Sequence, residues 1–382
     1  MKAFCLNNIS KVALATLKND DVVVNDVNEA DSILVRSFAM HEYELQDNIL
    51  AVARCGAGVN NIPLEKYAAQ GVVVFNTPGA NANAVKELVL CGLLLASRDI
   101  IGGYKWIEEN KDKEDIGKLA EKAKAKYAGN EIYGKKIAII GLGVIGVLVA
   151  NACVNLGMTV VGYDPYLSIQ NAMRLNKHIK YVDKLDDACK DVDFVSVHAP
   201  LLDSTKGMIS KEMIAKMKDG VILLNFARDK LIDEQALKVA LEEGKVKKYV
   251  TDFANPTVMT YPNTICLPHL GASTDEAEDN CALMAIDELK DYLENGNITH
   301  SVNLPDAQAG VKQSKYRVCI IHKNIPGMIA NFSSVITNIS GNIATLVNKS
   351  KGEYAYTIID VDKEVDVKTF LNLDGVIKVR VI

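Results

Sequence analysis

The clearest chemical device in the sequence is Gly141-Leu142-Gly143-Val144-Ile145-Gly146. It follows the apolar run KKIAIIG and opens a helix-forming stretch, the context that gives a GxGxxG pattern its meaning. The glycines permit a tight turn, close approach of backbone N–H groups to a pyrophosphate, and close helix–sheet packing. A helix starting at Val144 and Ile145 adds partial positive charge where that anion would lie. Asp164 ends the next apolar run, TVVGYD, 21 positions beyond Gly143. A carboxylate there accepts hydrogen bonds from ribose hydroxyls and repels a 2′-phosphate, so the expected cofactor is NAD rather than NADP. Only seven of the 43 basic residues are arginine. One of them, Arg228, closes the apolar run VILLNFA, where a planar guanidinium can clamp a carboxylate. A structural ion pair with Asp229 or Asp233 is the alternative reading.

Such groups need a rigid frame. From Lys135 onward, strand-like runs (KKIAIIG, TVVGYD, DFVSVHAP, VILLNFA, YVTDF) alternate with helical stretches at Val144–Leu156, Lys211–Met217 and Asp233–Glu243. That alternation predicts a doubly wound α/β domain with a parallel sheet. The first hundred residues repeat it through SILVR, ILAVAR and VVVF, ending in a buried helix over Val85–Ser97. Ile107–Tyr127, rich in Lys and Glu, reads as a solvated linking helix. Thr274–Glu294 reads as one long helix, and Asn303–Ser314 has the composition of a linker. Lys315–Ile382 gives the order βαββαβ, which suits a small α+β, ferredoxin-like domain.

Composition narrows the function classes. At 382 residues the chain has room for two or three domains. A net charge of -5 argues against a protein built to hold nucleic acid. No apolar stretch is long enough for a membrane span, and MKAFCLNNIS lacks a secretory apolar core. The eight cysteines never form a CxxC pair, so buried thiols in a reducing cytoplasm are expected, with neither disulfides nor a thiolate metal site.

Further motifs run in order: Tyr163-Asp164-Pro165, Val197-His198-Ala199-Pro200-Leu201, Asn225-Phe226-Ala227-Arg228 and Pro268-His269-Leu270-Gly271-Ala272-Ser273-Thr274. Upstream lie Arg54-Cys55-Gly56-Ala57-Gly58-Val59-Asn60 and Asn76-Thr77-Pro78-Gly79-Ala80-Asn81. In these motifs the chain resembles the D-2-hydroxyacid dehydrogenases over about residues 30–300, and residues 315–382 resemble an ACT domain. The resemblance implies a substrate lobe of 1–98 with 282–303, an NAD-binding domain of 99–281, and a regulatory domain of 315–382. Substrate would lie in a cleft between lobes. The family's acid/base position falls on His269, and its substrate-orienting arginine on Arg228; a free imidazole titrates near neutrality, which suits proton exchange. Cofactor contacts beyond the glycine turn would come from His198, Ala199, Pro200 and Thr205. Phe226, Ala227, Asp252 and Gly271 would complete them, Asp252 facing the nicotinamide amide.

The resemblance turns Arg36 and Arg54 toward a substrate phosphate, while Gly56, Ala57, Gly58 and Val59 could offer backbone N–H groups to a carboxylate. The expected reaction is NAD-dependent oxidation of 3-phospho-D-glycerate to 3-phosphohydroxypyruvate, the entry to L-serine synthesis. A reductase for hydroxypyruvate or another 2-keto acid, and a non-catalytic NAD-sensing scaffold, are the alternatives. In the tail, His322, Asn324 and Asn342 match residues that bind a serine effector. The family also implies a homodimer or homotetramer. Three departures stand out. Val144 replaces a frequent Arg, Asp229 a usual Gly, and the Glu that polarises the histidine is missing from Thr251-Asp252-Phe253-Ala254-Asn255-Pro256. Asn255, Asp252, Glu276 or Glu278 could take its place. Without an adjacent carboxylate, the histidine limb of the pH–rate profile is expected on the acid side of that of relatives possessing one.

Overall fold

A computed structural model describes residues 1–18 and 21–382. Packing divides them into two compact units, Met1–Asn81 with Asp275–Ile382, and Ala82–Thr274.

The first unit opens with a five-stranded parallel sheet: β1 (Lys2–Cys5), β2 (Val22–Val24), β3 (Ser32–Val35), β4 (Ala51–Arg54) and β5 (Val73–Asn76). Its order is β2-β1-β3-β4-β5. Alternate residues point to opposite faces. Ile33, Val35, Val52 and Val74 therefore fill one core, and Leu34, Ala51, Ala53 and Val73 the other. The helix Asp275–Asn295 covers the second face with Cys281, Ala285 and Leu289. The open edge of β5 is closed by the segment around Ser301, which bridges to Phe75. Covering an edge in this way removes a row of unpaired backbone groups.

The second unit is built on seven parallel strands: β6 (Lys136–Ile140), β7 (Thr159–Tyr163), β8 (Lys180–Val182), β9 (Phe194–Val197), β10 (Val221–Asn225), β11 (Val246–Thr251) and β12 (Thr264–Cys266). Their order is β12-β11-β10-β9-β6-β7-β8. The winding reverses between β6 and β9, and such a reversal leaves a crevice at the carboxyl ends of the strands.

The tail forms β13 (Tyr316–Lys323), β14 (Ile343–Lys351), β15 (Tyr354–Val361) and β16 (Val376–Val381), with helices at Met328–Asn338 and Val367–Leu371. The antiparallel order β14-β15-β13-β16 gives the βαββαβ fold read from the sequence. One face buries Val318, Ile320 and Ile359 under helix residues Phe332 and Phe370. The other joins Cys319, Ile321, Tyr356 and Ile358 to the core beneath helix Asp275–Asn295. Arg317, 1 % exposed, fastens this junction. It grips Asp360 bidentately at 2.6 and 2.7 Å and donates to the carbonyls of Asn295 and Gly310, both at 2.7 Å. A buried guanidinium with nearly every donor matched in this way is tolerated because no charge is left unpaired.

Two boundaries differ from the sequence reading. Helix Ala82–Ser97, expected within 1–98, packs in the second unit, and the whole of Asp275–Asn295 packs in the first. Gly92 explains the former: a Cβ there would stand 2.7 Å from the ring of Phe226, so the helix is seated against that domain's core. The Lys-rich stretch is two helices, Ile100–Asn110 and Ile116–Ala123, rather than one. Residues 111–115 (KDKED) are all exposed and offer no apolar face to carry a helix through. The cysteines are all free, and among the described residues no helix is long and apolar enough to cross a membrane.

Candidate active site

The carboxyl edge of the seven-stranded sheet gathers the reactive side chains in strand order. Gly141 follows β6, Asp164 follows β7, His198 follows β9, Asp252 follows β11, and Arg228 and His269 lie three residues beyond β10 and β12. Because β10, β11 and β12 are neighbours, Asp252 comes off the strand between those that carry Arg228 and His269.

The glycine turn is sterically enforced. Gly141 has φ +93°, and a Cβ on it would stand 2.7 Å from the His198 carbonyl carbon. A Cβ on Gly146 would lie 1.9 Å from the Gly141 oxygen, so helix Val144–Asn155 starts flush against the strand end. At Gly143, by contrast, a Cβ would meet nothing within 4 Å. The space over the helix start, at Val144 and Ile145, is open to an anion. Asp164 is held beside this turn, accepting from the N–H of Leu142 and of Tyr166, each at 2.8 Å.

His198 supports the turn from the neighbouring strand. Its N–H donates to Ile140 O at 2.7 Å, and its ring Nε2 lies 2.9 Å from Ser196 Oγ. Burial pushes its imidazole down to about 4, so it stays neutral. The loop continues through Ala199 and Pro200. Thr205 closes it by donating to Pro200 O at 2.6 Å and accepting from Leu202 N at 2.8 Å, so this hydroxyl is engaged within its own loop.

Arg228 owes its position to Asn225, a residue the motif reading left without a role. Fully buried, Asn225 donates to Arg228 O at 2.8 Å and accepts from Ala227 N at 3.2 Å. The exposed Arg228 side chain donates to Ala227 O at 2.6 Å. Its proposed ion-pair partners are occupied elsewhere: Asp229 accepts from Lys230 N at 2.8 Å, and Asp233 caps helix Glu234–Glu242. Phe226, 7 % exposed, packs beneath.

His269 is exposed, with the ring of Phe253 packed edge-on at 5.1 Å between centroids. Asp252 is the carboxylate beside it. Burial raises the Asp252 pKa, while the charge of His269, the Gly271 N–H and Arg228 pull the other way. Its Oδ1 has no hydrogen-bond partner among the described residues, although Asp252 is only 3 % exposed. An orphaned buried acceptor of this kind fits the carboxamide of a nicotinamide. Gly271 lies alongside: a Cβ there would make ordinary contact with Asp252 Oδ2 at 3.5 Å. The other replacements for the missing Glu are differently placed. Asn255 caps its own turn, accepting from Thr257 N and Val258 N at 3.0 and 2.9 Å, and Glu278 pairs with Arg36 at 2.6 Å. Glu276 stands exposed in the first turn of helix Asp275–Asn295.

The sign of the Asp252 shift gives a prediction. An acid whose pKa is raised on folding holds its proton more tightly in the native state. Stability is therefore lost as pH rises from the ordinary carboxylate value through the raised one. Asp252→Asn should melt higher than the parent at pH 7, by about 2 °C, a gain that fades toward acid pH. The same variant should turn over more slowly. Melting curves at several pH values check the first half; an unchanged or lower melting temperature at pH 7 opposes it.

In the first unit, the loop after β4 carries the Gly56–Val59 motif. Gly56, at φ +148°, turns its own N–H back to Arg54 O at 2.8 Å. A Cβ on it would collide with the Arg54 guanidinium, at 1.7 Å from Nη1. The N–H groups of Ala57, Gly58 and Val59 have no acceptor among the described residues. Arg54 Nε donates to Arg36 O at 3.2 Å, which places the two arginines on adjacent strand ends.

In the tail, Asn324 and Asn342 are exposed. His322 is not available to an effector as the sequence suggested: 2 % exposed, it contacts Lys323 O at 2.8 Å and Thr357 Oγ1 at 2.9 Å through its two ring nitrogens. Burial lowers its pKa.

Fold and site together define a dinucleotide-dependent oxidoreductase with an imidazole, a guanidinium and a carboxylate on three neighbouring strand ends. Residues 90–271 match the D-isomer specific 2-hydroxyacid dehydrogenase, NAD binding domain. D-3-phosphoglycerate dehydrogenase of Methanocaldococcus jannaschii is 30% identical over 377 residues, covering 96% of this chain and 68% of that protein. Hydroxypyruvate reductase of Thermotoga maritima is 34% identical over 281 residues, 70% of this chain and 87% of its own. The solved structure of D-2-hydroxyisocaproate dehydrogenase superposes with a TM-score of 0.64 at 22% identity, over 79% of this chain and 100% of that one. The chain belongs to the D-2-hydroxyacid dehydrogenase family. It is an NAD-dependent enzyme of that class.

Proposed function

We propose that the enzyme oxidises 3-phospho-D-glycerate to 3-phosphohydroxypyruvate. The observation that carries this reading is the pair of guanidiniums, Arg36 and Arg54, beside three successive unbonded N–H groups. That is more positive anion-binding capacity than a single carboxylate needs, and it suits a substrate that also bears a phosphate. His269 takes the hydroxyl proton, Arg228 holds the carboxylate and the reacting oxygen, and Asp252 stabilises the imidazolium that results. When bound, NAD supplies the hydride acceptor. Gly141, Gly143, Gly146 and Asp164 hold it, and Asp252 offers its free oxygen to the carboxamide. The first unit serves as substrate lobe, and the tail binds L-serine through Asn324 and Asn342 as a regulatory ligand.

Release of NADH, followed by absorbance with 3-phosphoglycerate, D-glycerate and D-lactate, tests the assignment. Activity confined to the unphosphorylated acids would instead favour a 2-keto-acid reductase like the Thermotoga relative. Arg36 refines the test. Its ion pair with Glu278 is more than a third exposed on each side, so a phosphate can displace it. Arg36→Ala should raise KM for 3-phosphoglycerate by about 10- to 100-fold with little effect on D-glycerate. Glu278→Gln should lower that KM. Equal losses on both substrates would remove the phosphate assignment.

A further inference from the structure

We infer that Lys351, in the tail, is a positioning residue for the substrate loop at Gly56–Val59, acting through the edge of the five-stranded sheet. The inference rests on the assignment of that loop to substrate, and it does not require serine to be the effector.

Lys351 ends β14, at the tip of the β14–β15 hairpin. Its ammonium donates to the carbonyls of Ser301 and Val302 at 3.2 and 3.1 Å, and no carboxylate pairs with it among the described residues. The segment it holds is stitched along β5. Val302 N donates to Val74 O at 2.9 Å, Asn303 Oδ1 accepts from Val74 N at 2.9 Å, and Ser301 bridges to Phe75. His300 O accepts from Asn76 N at 3.4 Å. From the end of β5 the connection passes directly to the loop. Asn76 Nδ2 donates to Ala57 O at 2.6 Å, and Thr77 N to Gly56 O at 3.1 Å. Each crossing from one segment to the next between tail and loop is therefore a hydrogen bond within one compact unit.

The other end of this chain of contacts is Asn324. Its backbone N–H donates to Glu353 O at 2.8 Å, and its side-chain amide to Gly352 O at 3.1 Å, so it holds the hairpin that carries Lys351. A ligand that recruited the Asn324 amide would compete with Gly352 for its donors and shift the hairpin. Coupling between two sites needs such a physical element, biased by both ligands. The hairpin and the 300–303 segment supply it.

The test uses the full-length enzyme. Lys351→Met keeps the aliphatic stem and removes the charge, and Lys351→Arg restores donors. Lys349→Met, on the same exposed strand, is the control. Lys351→Met should raise KM for 3-phosphoglycerate about five- to tenfold, with kcat and the KM for NAD within about twofold of the parent. Lys351→Arg should recover most of the loss, and Lys349→Met should lose nothing. Calorimetry with L-serine adds a second readout: heat retained by Lys351→Met while inhibition weakens supports the connection. An unchanged KM in Lys351→Met overturns the inference, as does a folded Lys351→Arg that fails to recover, or an equal loss in Lys349→Met. Absence of heat with L-serine in the parent removes the serine reading alone. Absence of activity on 3-phosphoglycerate in the parent removes the substrate reading instead.

Discussion

Replacing His269 with Asn is expected to reduce kcat by about three orders of magnitude while NADH binding, read by fluorescence, changes less than about twofold. Asn matches the imidazole in polarity and approximate size, but it cannot take up and release a proton near neutrality. The rest of the site has no reason to collapse. The Phe253 contact is an edge-on ring packing, and Arg228 and Asp252 are held by Asn225 and by the Gly271 N–H, not by His269. The glycine turn follows β6, three strands away from β11 in the sheet order. The residual rate should also lose the pH dependence contributed by the imidazole. A variant with full kcat would show that another group carries the proton. A variant that lost NADH affinity to the same extent as kcat would show a cofactor-binding role in place of an acid/base one.

The second large effect separates two glycines of one motif. A Cβ at position 146 would sit 1.9 Å from a backbone oxygen, which no rotamer change can relieve. Gly146→Ala must open the turn or displace helix Val144–Asn155, so NADH affinity should fall by at least about a hundredfold, with a lower melting temperature. A Cβ at position 143 meets nothing of the protein within 4 Å. Gly143→Ala should therefore fold and melt like the parent, yet bind NADH more weakly, because a methyl group now occupies the approach to the helix start. Fluorescence titration and thermal melts of both variants decide the matter. Undiminished binding by Gly143→Ala would mean that the open space is not where the pyrophosphate lies.

Much of this arrangement was legible in the sequence. Strand-then-turn patterns such as KKIAIIG followed by the glycine motif, or VILLNFA followed by Arg228, are short continuous apolar runs that carry their functional residue at the carboxyl end. A parallel sheet then brings those ends to one edge without further information. What escaped depends on contacts that periodicity does not encode. Helix Ala82–Ser97 joins the second unit because Gly92 admits Phe226, more than a hundred positions away in the chain. Arg317 and Asp360 are 43 residues apart, and nothing in RVCIIH marks its arginine as buried. The resemblance to an ACT domain assigns His322 to an effector, but as the penultimate residue of β13 it points into the tail's interior against Phe332. Asn225 could have been found: a polar residue closing a wholly apolar strand, three before an arginine, is poorly explained except as a hydrogen-bonding brace.

The buried lower face of the tail bears on how this enzyme can be dissected. Tyr356 donates to Gly296 O at 2.7 Å, and Arg380 lies 4.2 Å above the ring of Tyr292 while donating to that residue's carbonyl at 2.7 Å. Ending the chain at residue 314 would hand Cys319's neighbours to water and strip the C-terminal end of the long helix of its cover. A truncated catalytic fragment is thus a different object from the native enzyme merely without its tail, prone to stick to itself through the newly wetted face. Kinetic comparisons between such a fragment and the intact protein would report on that damage before they reported on what the tail does.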